Sequence, residues 1–448
     1  MTLRLMSTSL MGLVCVFPVM SQDLTIHAGP QREPIAIVNA TIHPVSGPSI
    51  ARGYIHFEDG VIKAVGEGDF ALAGPGMVID ATGKHVYPGM IGAVTQIGLS
   101  EISSVRAMLD HREVGDVSPE VRAAVAVNPD SWLIPVARSS GILTVGSFPT
   151  GGRIPGRASV MRMNGWTWEE MAVKQSAGLV VNWPNVRPVR AWWMTESDEQ
   201  QQQGIGTAMQ AIEFAFDTSL AYQRARRADA SHPMDLRWEA MGEFLNPQSI
   251  DPTASEDSRP SPVLIFAQEV EQITSAVTWA TGRGLNPVIV GGRDAPMVAE
   301  LLKAHDVPVI VLGTHAFPRR ADSPHDEAFT LPARLEAAGV RWCLASGEEP
   351  AHERNLPHNA ATAVEHGLAE DVAIASITLR VAEILGVGDV LGSLEVGKAA
   401  TLIVTDGSPL EIRTNIERAF IDGRTIDLTN KQTVLDEKYR EKYRQQGN

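Results

Sequence analysis

The chain has 448 residues, a hydrophobic share of 44% and a formal net charge of −15. Such a length can bury a large core and accommodates a barrel of about 250 residues with a smaller second unit. The acidity argues against nucleic acid and against an anionic membrane surface as partners, which leaves a small molecule as the expected partner class and a homo-oligomer open.

Residues 1–21 read as an export signal: Arg4, an apolar run from Leu10 to Met20, and Val19-Met20-Ser21 as a cleavage edge. The run is shorter than the roughly 20 apolar residues a membrane span needs. No integral membrane segment is therefore expected after its removal, and the destination is periplasmic or secreted. Of the two cysteines, Cys15 lies in this segment and Cys343 in an apolar strand pattern, so an internal disulfide is excluded once the signal is gone.

From 33 to 86 the pattern is short and β-like, with Asp59-Gly60 suited to a hairpin turn. A related pattern returns over 392–430, around Thr401-Leu-Ile-Val-Thr and Ala419-Phe-Ile-Asp-Gly. The middle alternates apolar runs bounded by turn residues with helical stretches. The runs begin at Ile142, Pro262, Pro287, Pro308 and Arg341, and the helices cover 268–280, 295–305, 328–338 and 356–366. Alternation of this kind favours parallel βα units, in a barrel or in a doubly wound sheet. The Gly- and Trp-rich stretch 151–183, with Trp166 and Trp168, is read as a lid over one end of the barrel. The charged tail 431–448 is read as a solvated helix.

One stretch carries more than pattern. Tyr87-Pro-Gly-Met-Ile-Gly-Ala-Val-Thr-Gln resembles the Pro-Gly-(apolar)-Ile-Asp-Ala-His-x-His opening of the amidohydrolase superfamily, imidazolonepropionases included. The resemblance implies an α/β fold: a (β/α)8 TIM-like barrel over 87–391, with a small β-sandwich built from both chain ends, 33–86 and 392–430. It also implies a divalent metal, usually zinc, held at the C-terminal ends of the strands. Here Val94 and Gln96 stand at the two histidine positions of the first strand. Phe266 stands at the histidine position of the fifth, and Gly291 follows Val290 where the sixth strand should present another. After the eighth strand Ser346-Gly347-Glu348 replaces the water-orienting aspartate. Valine has no lone pair and an amide is a poor zinc ligand, so no metal cofactor is expected.

Two loops offer other chemistry. In Gly313-Thr-His315 to Glu327, His315 or His325 could act as a base oriented by Asp322 or Asp326, with Arg319 binding an anionic group. In the loop from Ser346 to Asn355, Glu348, Glu349 and His352 form a cluster able to act in catalysis or to hold a displaced metal. The other reading of both loops is a solvated surface whose acids and arginines neutralise one another. The candidate catalytic residues are therefore His315, Asp326, Glu348 and His352, and the candidate binding residues Arg319, Gln96, Phe266 and Trp166. By resemblance the function is hydrolysis of carbon–nitrogen bonds other than peptide bonds, in cyclic or linear amides. The alternative is a non-catalytic pseudoenzyme that binds a small molecule at an apolar barrel mouth.

Overall fold

The computed structural model describes residues 27–447 apart from 192 and 256. The signal segment expected over 1–21 lies outside the described residues.

Two sheets make the fold. The first joins β1 (Ile35–Ile42), β2 (Ile50–Glu58), β3 (Val61–Glu67), β4 (Met77–Asp80) and β5 (His85–Pro88). The second is built from β6 (Met90–Thr95), β7 (Ile142–Ser147), β8 (Gly156–Arg162), β9 (Ala172–Asn182), β10 (Pro262–Ala267), β11 (Asn286–Gly291), β12 (Val309–Leu312) and β13 (Trp342–Ala345). The chain then returns to the first sheet with β14 (Leu402–Thr405), β15 (Ile416–Ile421) and β16 (Arg424–Thr425).

The two chain ends meet where β14 pairs antiparallel with β5, Leu402 opposite Pro88 and Thr405 opposite His85. Both then contribute to one apolar core, Ile37, Ile55, Phe57 and Val86 from the first part and Leu402, Val404 and Phe420 from the last. This is the sandwich. The hairpin between β2 and β3 turns at Asp59 and Gly60, both at positive φ (53° and 77°), the backbone that a two-residue type I′ turn requires.

The second sheet is a barrel wall in which strand order follows chain order from β6 to β13. Every neighbouring pair runs parallel except those of β8, which is antiparallel to both β7 and β9. The stretch 151–183 is thus not a lid. It supplies two strands of the wall, β8 and β9, which were not foreseen because two short strands joined by a polar turn look locally like an excursion. The 31-residue helix Asp198–Ala228 was not anticipated either. It opens with a capping box at Ser197 and Gln200, but its Gln-rich start and scattered apolar positions present no continuous stripe.

Alternation along the strands sorts side chains into two layers. Leu264, Val288, Val290, Ile310, Cys343 and Ala345 fill the interior, while Val263, Ile265, Ile289, Val309 and Leu344 face the surrounding helices. Lys174, near the start of β9, donates to the carbonyls of Leu385 and Gly386. The helix Leu379–Ile384 and the residues after it therefore close the end opposite the mouth, with Val381, Leu385 and Leu391 against the interior. Gly146 marks a tight approach within the wall, since a Cβ there would lie 2.3 Å from the Ala93 carbonyl oxygen. Gly146→Ala is expected to cost about 1–3 kcal/mol, as overpacking typically does. Urea unfolding would measure it, and an unchanged midpoint would show that β6 and β7 are not packed this closely.

Candidate functional site

The C-terminal ends of the parallel strands converge on a mouth whose floor is hydrocarbon. Val94 near the end of β6 and Phe148 just after β7 are buried in the interior cluster, and Phe266 of β10 and Leu312 of β12 pack on it. The rings of Phe148 and Phe266 meet edge to face, 6.3 Å between centroids at 85°, a favourable quadrupole geometry. Gln96 is half-buried beyond the last residue of β6. Gly291 adopts φ +108°, and the Gln268 side chain lies across it, so that a Cβ would stand 2.3 Å from Gln268 Nε2. These four positions offer two hydrocarbons, one amide and no side chain. They do not fit a zinc ion, which takes imidazole, thiolate or carboxylate donors. Among the described residues no group of three or more His, Cys, Asp or Glu could hold a metal ion, the loop cluster included.

Polar chemistry at the mouth gathers on one side, in the loops after β12 and β13. Gly313 and Gly347, both at positive φ, let the two loops begin in backbone contact, since a Cβ would meet the Ser346 oxygen at 2.2 Å and the Leu312 oxygen at 2.4 Å respectively. Glu348 is the hub. Its Oε1 lies 3.3 Å from His315 Nδ1 and accepts from Asn359 Nδ2 at 3.2 Å. Its Oε2 accepts from Asn355 Nδ2 at 2.8 Å, with His352 Nδ1 at 4.0 Å. The other face of the His315 ring contacts Thr362 through Nε2 at 3.1 Å. Asn359 is fully buried and locks the loop after β12, its Oδ1 accepting from the backbone N–H groups of Thr314 and His315 at 2.7 and 3.2 Å. His358 lies close enough to be influenced by this cluster. Burial, and then His315, hold its pKa below the ordinary imidazole value, with Glu348 opposing.

Of the residues singled out in the sequence, His315, Glu348 and His352 come together. Asp326 does not join them: it sits at the start of the helix Glu327–Ala337, where its carbonyl accepts from Thr330. Arg319 and His325 are exposed. The loop's structural arginine is instead Arg320, which pairs with the fully buried Asp294 at 2.5 Å. Trp166 is not at the mouth. Because β8 is reversed, Arg162 lies opposite Thr144 near the start of β7, and Trp166 beyond it emerges at the far end, 66% exposed and against the His27 ring. Asn355, Asn359 and Glu353 were missed, and their signal was faint: Glu353 and Asn355 look like solvated members of the loop 346–355, and Asn359 like an ordinary member of the helix 356–366, until the loops are folded together.

Glu353, in the same region, has no solvent exposure at all. It arises from the short 3₁₀ turn Pro350–Asn355 and accepts from Ser346 Oγ at 2.7 Å through Oε2, while Oε1 has no partner. Burial, with Glu348 adding to it and the Ser346 and Thr95 hydroxyls opposing, pushes its pKa up to about 7.

Comparison with known proteins fits this architecture. The sequence model of the Amidohydrolase family matches residues 266–434. The imidazolonepropionase of Brucella suis is 30% identical over 149 residues, 32% of this chain and 35% of that protein. The Hapsidospora irregularis amidohydrolase tasK is 22% identical over 379 residues, 78% of this chain and 37% of that protein. The chain thus spans about a third of the length of these curated relatives. A crystal structure of an amidohydrolase from Thermotoga maritima MSB8 superposes with a TM-score of 0.74 at 24% identity, covering 88% of this chain and 99% of that one. Residues 266–434 therefore belong to the Amidohydrolase family, and the described chain has the fold of an amidohydrolase barrel. The resemblance read in the sequence would put that family's four metal-ligand positions at Val94, Gln96, Phe266 and Gly291.

The floor can be tested directly. Phe148→Ala removes a ring that is 1% exposed, and a loss of about 3–5 kcal/mol is expected in chemical denaturation, as for other buried phenylalanines. A loss below about 1 kcal/mol would mean that the two rings do not pack.

Proposed function

We propose that this chain is an exported hydrolase-family protein for carbon–nitrogen bonds other than peptide bonds, and that its mouth takes a small cyclic or linear amide without a resident metal. The family supports the bond class, since the relatives it matches are named as an imidazolonepropionase and an amidohydrolase. The export reading rests on the composition of residues 1–21. The observation that carries the metal-independent part is the contact of His315 with Glu348 at the rim of a floor that presents no metal donors.

In this reading Glu348 accepts from His315 Nδ1–H, which fixes the tautomer and leaves Nε2 as the basic nitrogen. Thr362 Oγ, whose proton goes to the His358 carbonyl, stands 3.1 Å from Nε2 in the resting state, and water or substrate takes its place during reaction. Glu348 stabilises the imidazolium formed when Nε2 takes a proton from the water that attacks the carbonyl carbon, and Nε2–H then returns that proton to the leaving nitrogen as the carbon–nitrogen bond breaks. Asn355 and Asn359 hold the carboxylate in place through one hydrogen bond to each oxygen. The apolar floor formed by Val94, Phe148 and Phe266 receives the hydrocarbon part of the substrate and excludes water beneath it. General-base assistance of this kind contributes about 10²–10⁴-fold, so turnover is expected to be slow. A second reading, binding without turnover, is favoured by the same apolar floor.

The full chain purified without added metal should contain well under one equivalent by elemental analysis. On a panel of cyclic amides, ureas and N-acyl amino acids, any turnover should survive chelation and fall about 10²–10⁴-fold in His315→Gln. About one metal per chain, with activity lost on chelation, would reject the proposal. Calorimetric binding of a panel member with no turnover would leave the binding-only reading in its place.

A further inference from the structure

We infer that Glu353 is the positioning residue of the barrel mouth, a neutral, proton-carrying carboxyl that staples the end of β6 to the end of β13 and so holds both loops that border the candidate site. The inference deepens the proposed function by naming what fixes Glu348, and it depends on a protonation state rather than on turnover.

The wall of the barrel has one weak line. β6 and β13 lie side by side, yet they are the two ends of the ladder and share no strand pairing. At Ile91 the backbone N–H of β6 goes to the Ile377 carbonyl instead. At the mouth end of this seam side chains take over. The Ile97 N–H reaches Thr95 Oγ1 at 3.4 Å, and the Thr95 hydroxyl stands near enough to the Glu353 carboxyl to oppose the rise of its pKa. From the other side Ser346 Oγ lies 2.7 Å from Glu353 Oε2, and the Glu348 N–H reaches Ser346 Oγ at 3.3 Å. One polar chain therefore runs from the loop after β6, through a single carboxyl, to the loop after β13.

Local sequence makes room for it. Gly92 has no side chain, and a Cβ there would stand 2.4 Å from Glu353 Oε1. That oxygen is buried and without a partner, a position that suits the carbonyl oxygen of a neutral acid far better than half of a carboxylate. Ser346 Oγ serves both sides of the chain, donating to Glu353 Oε2 and accepting the Glu348 N–H. No cation compensates a charge here. The neighbouring β6 presents Gly92 and Thr95, and the loop after β13 presents Ser346 and the anionic Glu348. The helix Leu133–Ser139 behind the turn carries Arg138, which is committed to the Met163 carbonyl and influenced by Asp427. The helix Leu356–Glu365 carries His358, which answers to His315 and Glu348.

Because the folded-state pKa lies above the unfolded value, the contribution of this group to stability is complete below about pH 4.3 and declines as pH rises. It reaches its floor above the folded value of about 7. Infrared difference spectra of the full chain, wild type minus Glu353→Gln, should show a protonated-carboxyl C=O band at pH 6 that disappears with a midpoint near 7. Chemical denaturation from pH 5 to 9 should show a fall in wild-type stability that Glu353→Gln flattens, because an amide keeps the bridge without titrating. Amide hydrogen exchange at Ile97 and Glu348 should stay slow in Glu353→Gln and become at least about tenfold faster in Glu353→Ala, a ratio worth about 1.4 kcal/mol. If Glu353→Ala does not fold, Thr95→Val breaks the same staple at one end and should accelerate exchange at Ile97. Absence of the band at pH 6, or the same pH dependence in wild type and Glu353→Gln, would overturn the inference. An absence of hydrolysis would leave it untouched and bear only on the proposed function.

Discussion

Hydrocarbon packed against hydrocarbon at the C-terminal end of the barrel governs what this protein can do. A parallel barrel delivers the last inward-facing residue of each strand to a common point. In this chain that point receives Val94, Phe148, Phe266 and Leu312. Each ring buried there contributes roughly 1.5–3 kcal/mol to folding, so the floor is a working part of the core. A metal ion placed against it would lose its hydration shell and gain no donor in return. The chemistry of the mouth must come from its rim, and the rim is built by the loops after β12 and β13.

Those loops depend on the floor in turn. Gly313 and Gly347 can cross in backbone contact only because strands β12 and β13 hold their ends at ladder distance, Leu312 opposite Ala345. From that crossing the chain projects His315 and Glu348 toward each other, and a buried asparagine, Asn359, ties both loops to one helix. Buried amides of this type give direction rather than large net stability, because each hydrogen bond replaces one made to water. The rim is therefore specified by geometry and stabilised mainly by the apolar layer beneath it.

Much of the scaffold was legible in the sequence. Asp59-Gly60 announced a type I′ hairpin, and the apolar runs at Pro262, Pro287, Pro308 and Arg341 became β10 to β13. The frame around Tyr87 resembles the superfamily's opening, and by that resemblance Val94, Gln96, Phe266 and Gly291 stand at its ligand positions. What escaped was information held between distant segments. Reversal of β8 is decided by its register with β7 and β9, not by its own composition, and it carried Trp166 to the wrong end of the barrel for a role at the mouth. Asp326 and Arg319 looked as promising as His315 in the loop after β12, yet only the fold decides which side chain turns toward Glu348. Glu353 was the hardest to see, since a glutamate among charged neighbours gives no hint that it will have no contact with water.

The hydrocarbon at the mouth and the buried carboxyl at the seam follow one logic. In a barrel that binds a metal between its first and later strands, the ion itself ties those strand ends together across the mouth. Without donors at Val94, Gln96, Phe266 and Gly291, that cross-strand tie has to be made by protein groups, and β6 and β13 have no ladder between them. The interior solves part of the problem with packed rings. At the wall, where polar backbone ends would otherwise be left exposed to the core, it uses Thr95, Glu353 and Ser346. A carboxyl suits that place because it bridges two hydroxyls from one short turn. The ionised form has no partner for Oε1, so the bridge favours the proton-bearing state, and under the inference drawn above the mouth of this barrel is coupled to pH through a fully buried residue.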